Sequence, residues 1–336
     1  MVCGWLTRKL DASANHKLQS TKTTNSKTTT DSDGFLVSVS ESTELIFMRI
    51  FVFLIGLLIV SSCKLSIPGV AIAQFSPTPT VAPVTPGQID EASGMADSRS
   101  QPGNVWVEED GGNPAELTLL GYDGKVKGKI GVPTVTNRDW EELAAGPGPK
   151  EGTNYLYIGE IGDNNGQYDT YQIYRLPEPA NLQTPITQVE RINFRYPDGP
   201  RDAEAMFVDP KTKDIYIISK REPNVRLYRL AYPQNVNEVT VAQSYGELPI
   251  TFVTGAAISP DGSEIAVRTY TAISYWKRNA DQTIADALQN GSSRQLPYRQ
   301  EPQGEAICFD KDGKGYFTIS EKANASSVNL YYYGRK

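Results

Sequence analysis

A pattern of short strands recurs five times between residue 87 and the C-terminus, and this repeat is the strongest constraint on the fold. Each unit has a polar or acidic start, an apolar strand, a turn, a second apolar strand and one or two further strands. The anchor positions are Ser93, Glu141, Glu204, Gly255 and Glu305, at spacings of 48, 63, 51 and 50 residues. Such periods are typical of a β-propeller, in which each unit is a four-stranded blade packed on its neighbours. The sequence therefore predicts an all-β propeller of five blades, with six as the alternative because the 63-residue spacing is long.

Turn sequences fall where hairpins between the first and second strands of a blade require them. They are DPKTKD at 209–214, SPDGSE at 259–264 and DKDGKG at 310–315, while YDGK at 122–125 falls later in the first blade. Asp and Gly at these positions favour tight turns. The spacing lacks the regular acidic ligands of an EF-hand loop, so these segments are predicted to be hairpin turns and not calcium loops.

The fifth unit ends after its third strand, so the ring needs a strand from elsewhere. We expect the segment near Thr80–Pro86 to complete the last blade from the N-terminal side. Only residues 281–290 look helical, and we interpret them as an insertion in the fourth blade.

The N-terminal part predicts export from the cell. Residues 1–47 are polar and predicted to be disordered, or to be a leader upstream of a true start at Met48. Residues 48–73 are predicted to be a signal peptide, because Arg49 precedes a ten-residue apolar run, 51–60, that is short for a membrane span. Residues 74–86 are predicted to be a Pro-rich linker containing the closing strand, and residues 87–336 the propeller.

Two cleavage positions compete in this signal. One is a lipobox-like VSSC that would lipidate Cys63, and the other is a small-residue site ending at Ala73. An uncleaved anchor is the third alternative. The predicted location is therefore periplasmic or extracellular, with membrane contact only through the signal or a lipid anchor.

Charge and residue types exclude several functions. The net charge of −6 and the lack of a dense Lys/Arg run exclude a nucleic-acid partner. The single histidine, His16, precedes the predicted signal, so the mature domain has no histidine for a nucleophile relay or an imidazole metal site. Cys308 is the one cysteine after the signal and is predicted to be a small buried core residue.

Two sets of loops should meet on one face of such a propeller, here called the top face. The loops before the first strands contribute Asp139, Glu141, Asp202, Glu204 and Glu305. The loops between second and third strands contribute Glu109, Asp110, Glu160, Asp163, Asn164, Lys220, Arg221, Arg268 and Glu321. Glu141, Glu204 and Glu305 occupy the same place in three units and should face one another at the channel mouth.

Clustered carboxylates repel one another unless a cation compensates them. Because only oxygen donors are available, Ca²⁺ is the predicted ion. Its predicted ligands are Glu141, Glu204, Glu305, Asp139, Asp202 and Asp163. The alternative role of the glutamates is structural, in which each Glu caps backbone amides of the adjacent blade. The alternative for Asp163, which lies in the GDNN loop, is an Asx-type turn.

Lys220 and Arg268 stand where other blades carry acids, which makes the face asymmetric. They are predicted either to bind an anion beside the metal or to form salt bridges with the ring of glutamates. Trp140 and Trp276 are predicted to pack in the core and not to stack on a carbohydrate.

Several segments in order resemble a family of exported bacterial propeller proteins without an assigned activity. They are EASGMADS, RDWEELAAGPGP, YLYIGEIGDNN, YPDGPRDAEAMFVDP, ISPDGSEIAVRTYT and EPQGEAICF, spread over residues 89–321. The sequence departs from that pattern at EEDGGN, 108–113, where Asn-Asp-Ser-Gly-Asp is expected. More distantly, the Glu-Ala starts look like those of propellers with phytase-like or esterase-like activity, a similarity that implies carboxylates on calcium and Lys/Arg on phosphate.

The function predicted first is binding, by a monomer that holds an unidentified small-molecule or envelope ligand at its top face with a bound calcium ion. The alternative is a calcium-dependent phosphoesterase in which Lys220 and Arg268 neutralise the phosphate. Whether the protein is an enzyme stays open at this point, since a propeller fold serves many functions.

Overall fold

A computed structural model describes residues 74–336, and its strands form five sheets arranged as the blades of a propeller. Blade one comprises β2 (Ala92–Asp97), β3 (Asn104–Glu109), β4 (Glu116–Gly121) and β5 (Val126–Gly131). Blade two comprises β6 (Trp140–Pro147), β7 (Asn154–Glu160), β8 (Tyr171–Pro177) and β9 (Glu190–Arg195), to which β13 (Thr240–Val241) adds a parallel strand. Blade three comprises β10 (Ala203–Val208), β11 (Ile215–Ser219), β12 (Val225–Leu230) and β14 (Gln243–Leu248). Blade four comprises β15 (Val253–Ile258), β16 (Glu264–Thr269), β17 (Ile273–Lys277) and β18 (Arg294–Gln295).

Blade five closes the ring as predicted. It comprises β19 (Gln303–Phe309), β20 (Gly315–Glu321) and β21 (Asn329–Gly334), and β1 (Thr80–Pro83) from the N-terminal side completes it. β1 runs antiparallel to β21, with Thr80 opposite Tyr332 and Pro83 opposite Asn329. The five-blade prediction is confirmed and the six-blade alternative is wrong. The long spacing before blade three comes mainly from the 178–189 connection between β8 and β9.

Hydrophobic side chains are buried between neighbouring blades. Five core clusters exist in the described residues, and each takes its members from two adjacent blades. In β11, for example, Ile215 and Ile217 face blade two, whereas Tyr216 and Ile218 face blade four. Strand alternation therefore supplies apolar groups to both faces of a blade. This two-sided packing makes closure of the ring necessary, because an open end would expose one apolar face.

A β-bulge interrupts every inner strand near its start. The register between the first and second strands shifts between Ala92 and Gly94, Trp140 and Glu142, Ala203 and Ala205, Val253 and Gly255, and Gly304 and Ile307. A bulge adds an unpaired residue and changes the direction of its side chain. Equivalent bulges in all five blades therefore direct one side chain per blade toward the top of the channel.

Smaller predictions agree with the structure. The Asp-rich hairpins lie between first and second strands, where Gly262 (φ +72°) and Gly313 (φ +66°) adopt the left-handed conformation. The helix predicted at 281–290 is α1 (Ile284–Asn290), whose N-cap Thr283 accepts a hydrogen bond from the N–H of Asp286. Cys308 is buried between blades one and five.

The predicted leader, signal peptide and lipidation site at Cys63 lie outside the described residues, so these assignments stay predictions. In residues 74–336, no helix has the length and apolar character that crossing a membrane requires.

Candidate metal centre

Each blade contributes residues at three positions to the top of the channel, and each position is equivalent from blade to blade. The bulge ring consists of Ser93, Glu141, Glu204, Thr254 and Glu305. Two residues before each of these, the preceding loop contributes Glu91, Asp139, Asp202, Phe252 and Gln303. Where the second strands end, the chain contributes Asp110, Ile161, Lys220, Tyr270 and Glu321. Carboxylates thus come from blades one, two, three and five, whereas blade four presents Thr254, Phe252 and Tyr270.

Glu141 is the centre of this carboxylate cluster. One of its oxygens lies with oxygens of Asp110 and Asp139 in a group whose members are all within 4.8 Å of one another. An equally close group joins Glu141 to Asp202 and Glu204. In addition, Oε2 of Glu141 accepts a hydrogen bond from the Ser93 hydroxyl at 3.2 Å. Glu141 therefore connects two sets of three carboxylates supplied by blades one, two and three.

Two glycines provide the space in which Asp139 and Glu141 lie. A Cβ atom on Gly162 would stand 2.4 Å from Oε1 of Glu141 and 2.6 Å from the Asp139 carboxylate. A Cβ on Gly111 would stand 2.6 Å from Oδ1 of Asp139. A side chain at either of these two positions would displace the neighbouring carboxylate from its place in the structure.

Two cations partly compensate the cluster. The ammonium group of Lys220 forms a buried ion pair with Oε1 of Glu204. Arg221 pairs with Oδ2 of Asp202 and reaches the side chain of Asn164. Lys220 therefore forms a salt bridge with a ring glutamate, which was one of its two predicted roles, and it lies beside the cluster.

Some carboxylate oxygens in the cluster have no partner. Oε2 of Glu204 and Oε2 of Glu305 are buried and lack a hydrogen bond within the described residues. These two side chains are only 4% and 2% exposed. An unsatisfied buried oxygen is unfavourable, so both oxygens are available for a ligand that the protein itself does not supply.

Burial and mutual repulsion change the ionisation of these groups. Desolvation, followed by the charges of Asp110 and Asp202, raises the pKa of Asp139 to about 6. Desolvation and the charge of Glu204 raise the pKa of Glu141 well above its usual range. Desolvation raises the pKa of Glu305 to about 8 and that of Glu321 to about 7. Without a cation, the cluster therefore holds protons near neutral pH.

Glu305 lies close enough to Glu204 to affect its ionisation, but it belongs to neither of the two close groups of acids. After desolvation, the charge of Glu305 is the largest contribution to the raised pKa of Glu204. Oε1 of Glu305 accepts a hydrogen bond from the side chain of Gln303 at 3.2 Å. The three predicted glutamates thus face one another along the ring, with Glu305 beyond the two closest groups of oxygens.

Asp163 is used in a turn. Its carboxylate accepts the N–H groups of Gln167 and Tyr168 at 2.8 and 3.0 Å and the hydroxyl of Tyr171 at 2.7 Å. These donors lower its pKa, against the opposing effect of burial. This geometry corresponds to the Asx-type alternative, and the backbone N–H of Asp163 in turn donates to Oδ1 of Asp202 at 2.9 Å.

Arg268 is held inside the protein. It is fully buried, pairs with Glu301, and donates from Nη1 to the carbonyl oxygens of Ala306 and Ile319 at 2.6 and 3.1 Å. The guanidinium connects blades four and five below the surface of the top face. The pairing with Glu301 differs from the predicted salt bridge to the ring of glutamates, because Glu301 is not one of the three ring residues.

Two further carboxyl groups lie deeper in the channel, and the sequence reasoning did not select them. Glu108 is fully buried, and its side chain occupies the space over Gly94, whose Cβ would stand 2.6 Å from Oε1. Glu142 follows Glu141 on β6 and accepts the N–H of Ala256 across the channel at 2.9 Å. Desolvation raises the pKa of both groups well above the usual range.

The sequence reasoning also missed blade four's contribution. It aligned Gly255 with the glutamates, whereas the bulge residue is Thr254. This one-residue difference hid the equivalence of Phe252 with Asp139 and Asp202. The bulge itself has no sequence signal here, although the Asp-x-Glu spacing in blades two and three could have suggested the alignment.

No protein-family model matches the chain, and no curated protein sequence is similar to it. Among solved structures, the chain is similar to a luciferin-regenerating enzyme, with 15% identity, a TM-score of 0.41 and coverage of 73% of this chain and 78% of that chain. It is also similar to a structure of a nidogen/laminin complex, with 14% identity, a TM-score of 0.42 and coverage of 72% and 75%. Neither similarity identifies a family or a ligand, so membership of an exported bacterial family stays a prediction.

Proposed function

We propose that this propeller binds a ligand at its top face through a divalent cation, Ca²⁺, held by the carboxylates around Glu141. The observation that carries the proposal is the position of Glu141, whose buried carboxylate belongs to both close groups of three acids. The unpartnered oxygen of Glu204 lies in the same cluster. A cation would compensate both the repulsion and the missing hydrogen bond.

The chemistry of the donors favours Ca²⁺. All of the candidate ligand atoms are carboxylate oxygens, and Ca²⁺ takes six to eight oxygen ligands in flexible geometry. The residues that would hold the ion are Asp110, Asp139, Glu141, Asp202 and Glu204. A bound Ca²⁺ supplies open coordination positions for oxygen atoms of a ligand. The predicted export supports this choice, since extracellular calcium modules bind at about 10⁻⁴–10⁻³ M.

The phosphoesterase alternative has less support from the geometry. It needs two cations beside the metal, and Arg268 is fully buried in contacts with Glu301 and backbone carbonyls. Of the two cations predicted to bind the anion, only Lys220 lies near the cluster, and it pairs with Glu204. Arg221, the other cation at the cluster, pairs with Asp202. We therefore propose binding as the function.

Calcium titration of the purified protein tests the proposal directly. We expect Ca²⁺ to raise the midpoint of thermal unfolding and to displace Tb³⁺, whose luminescence the nearby Tyr270 would sensitise. Glu141→Gln should weaken calcium binding at least tenfold, because it removes a charge from both groups of acids. Glu204→Gln should abolish the calcium-dependent stabilisation.

Asp163→Asn is the matched control within the same face. Its carboxylate is used by backbone amides in a turn, so this variant should lower basal stability and keep the calcium response. An unchanged calcium affinity in Glu141→Gln would contradict the proposal and favour a structural role for the acidic ring.

A further inference from the structure

We infer that the ligand at the top face is a carbohydrate, whose hydroxyl groups coordinate the cation while the apolar face of a sugar ring packs on Phe252. This inference rests on the proposed calcium site and adds the chemical class of its ligand. It depends on Phe252 and Tyr270 of blade four, and on the charge of the remainder of the face.

Phe252 places an exposed aromatic ring where the equivalent residues of two other blades have carboxylates. It stands in the loop before β15, at the position equivalent to Asp139 and Asp202, and is 51% exposed. It also has a left-handed backbone conformation, with φ +54°, which is unfavourable for a bulky side chain. Strained residues cluster at active sites and ligand-binding sites, so the exposed and strained Phe252 suggests contact with a ligand.

A short series of contacts connects Phe252 with the acidic cluster. Its N–H donates to the carbonyl oxygen of Lys220 at 2.7 Å, and its ring centroid lies 6.5 Å from that of Tyr270. The ammonium group of Lys220 stands 5.2 Å from the Tyr270 ring and pairs with Glu204. The exposed aromatic ring is therefore one side of the same site, separated from the carboxylates by Lys220 and Tyr270.

The charge of the face favours a neutral ligand over an anion. Carboxyl groups at the three sets of equivalent positions outnumber the paired cations Lys220 and Arg221. One divalent cation compensates two of these charges and leaves the face negative. A phosphate or carboxylate would then meet repulsion, whereas neutral hydroxyl groups can coordinate Ca²⁺ in place of water.

A sugar satisfies both sides of the site at once. Neighbouring hydroxyl groups offer oxygen ligands without charge, and the C–H face of the ring offers an apolar surface for an aromatic side chain. The two tryptophans considered from the sequence do not supply this contact, since Trp140 and Trp276 are 0% and 4% exposed.

Ligand-observed NMR titrations with defined probes test the inference. The probes are the methyl glycosides of mannose, galactose and glucose, with inorganic phosphate as the anion, each in excess CaCl₂ and in EDTA. We expect at least one glycoside to bind in a calcium-dependent way. Phe252→Ala should weaken that binding about two- to tenfold, Phe252→Tyr should restore it, and Val239→Ala, an exposed apolar change in a distant loop, should have no effect.

The outcomes separate this inference from the proposed function. Calcium binding together with binding of phosphate and no glycoside would overturn the carbohydrate inference and leave the calcium site intact. Glycoside binding that is unchanged in Phe252→Ala would overturn the role of Phe252. Loss of calcium binding in Phe252→Ala would show that this residue supports the site and does not contact the ligand. Absence of calcium binding in the unaltered protein would refute the proposed function itself.

Discussion

The carboxylate of Glu142 in blade two accepts the backbone N–H of Ala256 in blade four, a distance of 2.9 Å across the channel. Its other oxygen accepts the N–H of Leu143 at 3.1 Å. Blades two and four are not neighbours in the ring, so this side chain links strands that the sheets do not connect.

Replacement of Glu142 by Ala should destabilise the propeller. The change removes both acceptors, leaves the buried N–H of Ala256 without a partner, and opens a void, so we expect a loss of about 2–4 kcal/mol in the free energy of unfolding. Glu142→Gln keeps one acceptor and should lose less. Urea unfolding measures both, with Glu151→Ala at an exposed position as the control. Equal stability of Glu142→Ala and the unaltered protein would contradict the link.

Asp97, at the lower end of blade one, should make stability depend on pH. Desolvation raises its pKa from 3.8 to about 6, against hydrogen bonds from Tyr122 and from the N–H of Lys311. Because the folded state holds this proton more tightly than the unfolded state, stability falls as pH rises from about 4 to about 6. The contribution is up to about 3 kcal/mol, and it is fully lost above pH 6.

The measurement for Asp97 is the free energy of unfolding between pH 4 and pH 7. Asp97→Asn should remove most of the decrease across this interval. The exposed neighbour Asp312 provides the control, since Asp312→Asn should leave the slope nearly as it is. A decrease of the same size in Asp97→Asn would assign the pH dependence to other carboxyl groups.

The closing strand β1 offers a test with two adjacent residues. Ala82 is 8% exposed and packs in the core between blades one and five, whereas Val81 on the other side of the strand is 39% exposed. Ala82→Asp buries an unpartnered charge and should lower the free energy of unfolding by about 2–4 kcal/mol. Val81→Asp should change it by less than about 0.5 kcal/mol. Similar effects of the two substitutions on thermal unfolding would show that β1 does not close the ring.

The repeat was readable from the sequence because it depends on local patterns. Apolar strands, Asp-Gly turns and a missing last strand are features of consecutive residues. They predicted five blades and a closing segment near Thr80–Pro86, in which the structure has β1 at Thr80–Pro83. The same pattern predicted that Glu141 and Glu204 would meet, since equivalent positions in a closed ring share one face.

Only the tertiary structure decided which residues form the site. A bulge shifts every inner strand by one position, so Thr254 and not Gly255 belongs with the glutamates, and Phe252 aligns with Asp139. The partners of Arg268 and Asp163 are set by contacts between loops and strands whose distances no local pattern specifies. The sequence by itself thus determined the number and order of the blades, through local hydrophobic periodicity and turn chemistry. Circular packing decided which charges are paired, which are buried and which lie together at the top of the channel, because it brings together residues far apart in the chain.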